Sequence, residues 1–164
     1  MGYNLIIGQA DISIDDEQVI RGASTVMLDD APAYGEPTDY LNQRWPSYVA
    51  WGDTMRALGL YDVMFDGVKS GRKALISEHP GICLITQQHV EIVEAKIAEY
   101  KILHPTHFAK YPLLKPYVPL SFFHTSDDYV DDPRYDGNLC RGEWLAFWLR
   151  WAFENCSKPV FVNS

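Results

Sequence analysis

The sequence predicts an α+β fold, in which a small antiparallel sheet from an N-terminal hairpin and a C-terminal strand packs on about three helices. Three observations carry this expectation. Residues 3–14 alternate apolar with polar at the period of a half-buried strand, three later stretches space their apolar residues by three and four as helices do, and the end of the chain returns to a short β-branched run. With 164 residues, 47 % of them hydrophobic, the chain suits one globular domain over 1–164 and has enough apolar material for a core. A wholly disordered chain is thereby excluded.

Leu5-Ile6-Ile7 opens the first strand, after which Ala10, Ile12 and Ile14 alternate against Gln9, Asp11 and Ser13. Asp15-Asp16-Glu17 reads as a turn, and Val19-Ile20 through Val26-Met27-Leu28 is expected to pair back antiparallel, with Gly22 as a bulge or kink. Residues 29–44 lack periodicity and hold Pro32, Tyr34, Gly35, Pro37 and Tyr40, which predicts a long surface loop. Pro46-Ser47 begins a helix whose Tyr48, Trp51, Met55 and Leu58 share a face and which Gly59 ends. Tyr61 to Phe65 adds a short turn, and Asp66 to Gly71 is loop chemistry.

Thr86 is placed to cap a helix over 87–103, with Val90, Val93, Ile97 and Tyr100 on one side and Glu91, Glu94 and Lys101 on the wet side. Pro105, Pro112, Pro116 and Pro119 remove backbone donors between 104 and 120 and preclude a regular helix there. The last helix, about 138–156, spreads Trp144, Phe147, Trp148, Trp151 and Phe153 around most of its circumference and should therefore be central. Arg150 and Glu154 form an i,i+4 pair on its wet face. Lys158 to Val162 reads as a terminal strand joining the hairpin.

The formal net charge of −8 and the absence of a Lys/Arg cluster longer than Arg72-Lys73 argue against a general binder of nucleic-acid backbones. No apolar stretch approaches the roughly 20 residues of a bilayer span, and the opening Met-Gly-Tyr-Asn-Leu-Ile-Ile-Gly lacks a basic region, so a cytoplasmic location without membrane association is expected. Ile6 stands where a myristoylation pattern needs Ser or Thr. Cys83, Cys140 and Cys156 are an odd number without a Cys-x-x-Cys pair, the pattern of reduced thiols.

Several constellations carry candidate chemistry. Asp132 to Glu143 matches a calcium-binding loop at Asp132, Asp136, Gly137, Leu139 and Glu143, with Arg134 occupying a ligand position; the competing reading is an acidic turn in which Asp136 caps the last helix. His104-Pro105-Thr106 and His124-Thr125-Ser126 are two His-x-Ser/Thr triplets, 20 positions apart, and resemble the signature of the 2H phosphoesterases. In that family paired histidines act as acid and base, which would assign His104, Thr106, His124 and Ser126 to catalysis. His104, His107 and His124 with Asp127 or Asp128 also suit a transition metal, and the competing reading is local hydrogen bonding. No dinucleotide, P-loop or nucleophile-elbow motif is present, and no motif demands a cofactor. Lys69-Ser70-Gly71-Arg72-Lys73 is the one stretch offering an anion backbone donors together with cations.

The 5 Trp, 10 Tyr and 7 Phe exceed what the core needs, and Arg44-Trp45 and Arg134-Tyr135 pair a cation with a ring as stacking sites for planar ligands do. Trp45 to Phe65 and Asp136 to Trp151 resemble small uncharacterised proteins encoded by tailed bacteriophages. The resemblance transfers no catalytic residue; it implies a compact accessory or counter-defence protein, acting in the host cytoplasm, that binds a host protein or captures a nucleotide signal. The combined expectation is non-catalytic binding of a small nucleotide-like ligand through Arg44, Trp45, Arg72, Lys73, Arg134 and Tyr135, or of a basic host protein through Asp127, Asp128, Asp131 and Asp132. The alternative is a phosphodiesterase or metal-dependent hydrolase using the His104/His124 region. The aromatic content is also compatible with a homo-oligomer.

Overall fold

A computed structural model describes residues 1–12, 19–28, 41–66, 73–109 and 133–164. Along the chain run β1 (Leu5–Ile12), β2 (Ile20–Ala23), β3 (Gln43–Arg44), α1 (Tyr48–Ala57), α2 (Tyr61–Phe65), β4 (Gly81–Leu84), α3 (Gln87–Leu103), α4 (Gly137–Asn155) and β5 (Pro159–Asn163). The fold is α+β, as the periodicity predicts. The sheet order is β2-β1-β5-β4 with every neighbouring pair antiparallel, and β3 adds a short antiparallel pairing to β1.

The hairpin register pairs Asp11 with Gly22 and Ile12 with Ile20, which leaves Arg21 as the extra residue of a bulge beside the expected glycine. The second strand stops at Ala23, short of the expected Leu28. The cause is Asn42, which is fully buried: its Nδ2 donates to the carbonyls of Ile7 and Ser24, both at 2.8 Å, and its Oδ1 accepts from the Val26 N–H at 2.7 Å. This side chain draws residues 41–44 against β1, so the end of the expected 29–44 loop is sheet structure; 29–40 lie outside the described residues.

Alternation gives the sheet two apolar faces. Leu5, Ile7, Cys83 and Phe161 point toward the helices, whereas Ile6, Ala10, Ile82, Val160 and Val162 meet Ile20 and Ala23 of β2 on the other side. α4 packs on β1, β5, α1 and α3, with Trp144, Leu145, Trp148 and Leu149 fully buried. Each such side chain contributes about 2–3 kcal/mol of burial free energy. At Gly142 a Cβ would lie 2.4 Å from Ile97 Cδ1 and 2.8 Å from Leu58 Cδ1, so the glycine sets how closely α4 approaches its neighbours.

The helix ends follow local sequence. Ser47 caps α1 by accepting from Ala50 N–H, and Gly59, at φ 69°, turns the chain after it. Thr86 and His89 form a reciprocal capping box at α3. His89 Nδ1 accepts from the Thr86 N–H at 3.1 Å, so Nε2 carries the proton and donates to the Lys73 carbonyl at 2.8 Å. None of the helices among the described residues is long and apolar enough to cross a membrane. None of the three cysteines is in a disulfide, and burial pushes the Cys83 and Cys156 thiols up, against the opposing charge of Lys73 for Cys83, away from thiolate reactivity.

Candidate functional site

The end of α3 and the start of α4 are joined side by side. Pro105 has no N–H with which to extend α3, and the chain turns at 105–106, with His107 N–H donating to the His104 carbonyl at 3.0 Å. Phe108 then pairs with Tyr135 in a parallel bridge: Phe108 N–H donates to Arg134 O at 3.1 Å and Asp136 N–H to Phe108 O at 2.9 Å. Two segments far apart in sequence thus present their side chains together.

Asp136 is the anchor of this junction. It is 8 % exposed; Oδ1 accepts from the N–H groups of Asn138 and Leu139, and Oδ2 accepts from Tyr100 Oη and His107 Nδ1, both at 2.7 Å. Burial pushes the carboxyl up, but bonds from Leu139 N–H, Tyr100, His107 and Asn138 N–H outweigh it and hold the group below the ordinary carboxylate range. Tyr100 responds oppositely. Burial first, then its bond to Asp136 and that residue's charge, push the phenol up to about 12 against a smaller opposing bond from Asn138.

Rings line the same junction. His104 lies between Tyr100, at 4.3 Å between centroids, and His107, stacked at 4.7 Å with planes 26° apart. His107, its side chain 34 % exposed, ends that row. Beside it Tyr135 meets Phe108 edge-on at 6.0 Å, and the Arg134 guanidinium sits 5.7 Å from the Phe108 centroid. This face offers π surfaces, two imidazoles and a cation.

The other expected site residues are dispersed. Arg44 is 3 % exposed, with its guanidinium over Trp144 at 5.4 Å, while Trp45 is 56 % exposed. Consecutive residues of an extended segment point to opposite faces, so Arg44 and Trp45 do not form the shared stacking site expected of them. Lys73 reaches the Ile82 carbonyl at 3.4 Å, on β4. Arg72, His124, Ser126, Asp127, Asp128, Asp131 and Asp132 lie outside the described residues.

Of the two readings of Asp132–Glu143, the described part follows the one in which Asp136 caps the last helix. Residues 137–143 are the first turns of α4, where a calcium loop needs irregular chain folding back on the ion; Asp136 caps that helix and Glu143 pairs with Lys101 of α3. Among the described residues no three His, Cys, Asp or Glu side chains group as metal ligands would. The triplet at His104 and Thr106 follows a helix in a turn, and the histidine next to it, His107, is the one the carboxylate holds. The bond from His107 to Asp136 and the place of Tyr100 and Phe108 in the site arise from tertiary contact and have no signal in the spacing of residues along the chain. Comparison of the chain with family models, with curated proteins and with solved structures finds no match.

Proposed function

We propose that this chain is a non-catalytic binding protein that captures a small nucleotide-like ligand at the His104, His107, Arg134 and Tyr135 face. The reading includes a phage-type accessory or counter-defence role in the host cytoplasm. One observation carries it: a row of three rings, Tyr100, His104 and His107, stands beside the Arg134 guanidinium, on two segments locked together by backbone hydrogen bonds. A base extends such a row, and the cation serves the phosphate. The test is native mass spectrometry of the full chain with a panel of cyclic and linear nucleotides, followed by calorimetry of any retained species. Arg134→Ala and His104→Ala should each weaken binding about tenfold, in keeping with about 1–3 kcal/mol per stacking or charged contact. A panel in which nothing is retained, or unchanged affinity in both variants, overturns the reading.

A second reading rests on the 2.7 Å contact between His107 Nδ1 and Asp136. A carboxylate-held imidazole is a competent general base, and release of a cleaved nucleotide, abolished in His107→Ala, would establish a phosphodiesterase instead.

A further inference from the structure

Away from this junction, Tyr48, His79 and Asn163 form a second ordered chain of polar groups. Tyr48 is the first residue of α1, His79 precedes β4, and Asn163 ends β5. Asn163 is 1 % exposed, and its Nδ2 donates to the Gly81 carbonyl at 3.2 Å, which turns its Oδ1 toward His79 Nδ1 at 2.8 Å. With the amide so oriented, the imidazole proton belongs on Nδ1 and the Nε2 lone pair accepts the Tyr48 hydroxyl at 2.9 Å. Gly81 secures the amide: a Cβ there would stand 2.6 Å from Glu78 O and 3.3 Å from Asn163 Nδ2.

A hydroxyl bonded to an imidazole, itself oriented by a third group, is the general arrangement of an activated nucleophile. Tyr48 is 36 % exposed and thus open to a reagent. We propose that Tyr48 is a nucleophile toward neutral acyl esters, with His79 as its base and Asn163 as a positioning residue. The acyl class follows from the surroundings. Among the described residues, the Tyr48 and His79 rings meet the neutral ring of Tyr3, at 4.6 and 5.2 Å, which Phe65 backs at 6.4 Å, and His79 bonds to Asn163; Glu78 is the chain neighbour of His79. An anionic phosphoryl group would meet no cation in this set, whereas an uncharged ester with a small apolar acyl group is compatible with it.

In the step itself Tyr48 Oη attacks the carbonyl carbon while its proton passes to His79 Nε2. The bond from that carbon to the leaving oxygen breaks, and His79 returns the proton to the leaving alkoxide. The products are O-acyl-Tyr48 and an alcohol, with no further reactant.

The experiment treats the full chain with p-nitrophenyl acetate and locates acetyl groups by peptide mass spectrometry over time. Tyr61 is the internal control, since at 38 % exposure it matches Tyr48 but stacks under Arg56 instead of bonding to an imidazole. Tyr48 should acetylate about 100-fold faster than Tyr61, and His79→Gln should remove that advantage while leaving Tyr61 unchanged. Asn163→Asp, which keeps an acceptor on Nδ1, should retain the advantage, and Asn163→Leu should lose it as H79Q does. Equal rates at Tyr48 and Tyr61 in the unmodified chain overturn the proposal without recourse to any variant, as does an undiminished ratio in folded H79Q.

Discussion

His107 and Asp136, 29 positions apart, are joined by a 2.7 Å hydrogen bond from the imidazole Nδ1 to the carboxylate Oδ2. The same carboxylate caps α4 and accepts the Tyr100 hydroxyl, so one side chain fixes a helix start, a turn and the end of a neighbouring helix. Asp136→Ala removes all of these contacts and should lower stability by about 2–3 kcal/mol in urea unfolding. The carboxyl is depressed in the folded chain, so its contribution is complete above the unfolded carboxylate value of about 4 and is lost as pH falls through the lower folded value. The stability gap between wild type and D136A should therefore be constant from neutral pH down to about 5 and close at more acid pH.

Tyr100 provides the alkaline counterpart. Its phenol is pushed up to about 12 from a usual 10.0, chiefly by burial and then by Asp136. The raised value means the neutral phenol stabilises the fold. That contribution is whole below about 10 and declines as pH rises through the folded value. In an alkaline absorbance titration, Tyr100→Phe should delete one tyrosinate step near the high end, and at neutral pH it should cost about 1 kcal/mol for the lost bond.

Asn42 is the stitch between β1, β2 and β3. Asn42→Leu leaves two carbonyls and the Val26 N–H without the side-chain partner they now have, at a fully buried position. The expected loss is about 3 kcal/mol in the urea midpoint, with amide exchange accelerated at Ser24 to Val26 before the helices respond.

Gly142 controls the packing of α4 against α3. A methyl group there overlaps Ile97 and Leu58 side chains at 2.4 and 2.8 Å. Gly142→Ala should gain helix propensity and still lose about 1–3 kcal/mol overall, because the overpacking outweighs it; Ile97→Ala in the same chain should recover part of that loss. Additive effects of the two substitutions in thermal unfolding would contradict this.

Much of the local structure was legible before any coordinates. The spacing of Trp51, Met55 and Leu58, or of Val90, Val93 and Ile97, is a one-dimensional record of which helix face is buried, and Ser47, Thr86 and Asp136 announce helix starts through their own backbone chemistry. β3 and β4 were less accessible to such reading. Two residues at 43–44 and four at 81–84 are too short for a two-residue period to declare itself, and they are strands because β1 and β5 offer them hydrogen bonds. Asn42 carried no periodic signal either, since a buried polar residue is recognised by its partners.

The candidate sites divide in the same way. Arg134 and Tyr135 stay neighbours in space, as adjacency along the chain suggests, but Arg44 and Trp45 are separated by strand alternation. A calcium-loop pattern read from residue types at fixed offsets gave way to a helix beginning at Gly137.

The sequence by itself determined the fold class, the helix faces, the capped starts and the strand character of the C-terminal run, because each rests on local periodicity or on contacts within one turn of chain. Tertiary structure alone decided that β5 lies between β1 and β4, that His107 meets Asp136, and that His79 stands between Tyr48 and Asn163. Those pairings join segments tens of residues apart, where hydrogen-bond geometry and burial are set by packing and leave no mark in the spacing of residues along the chain.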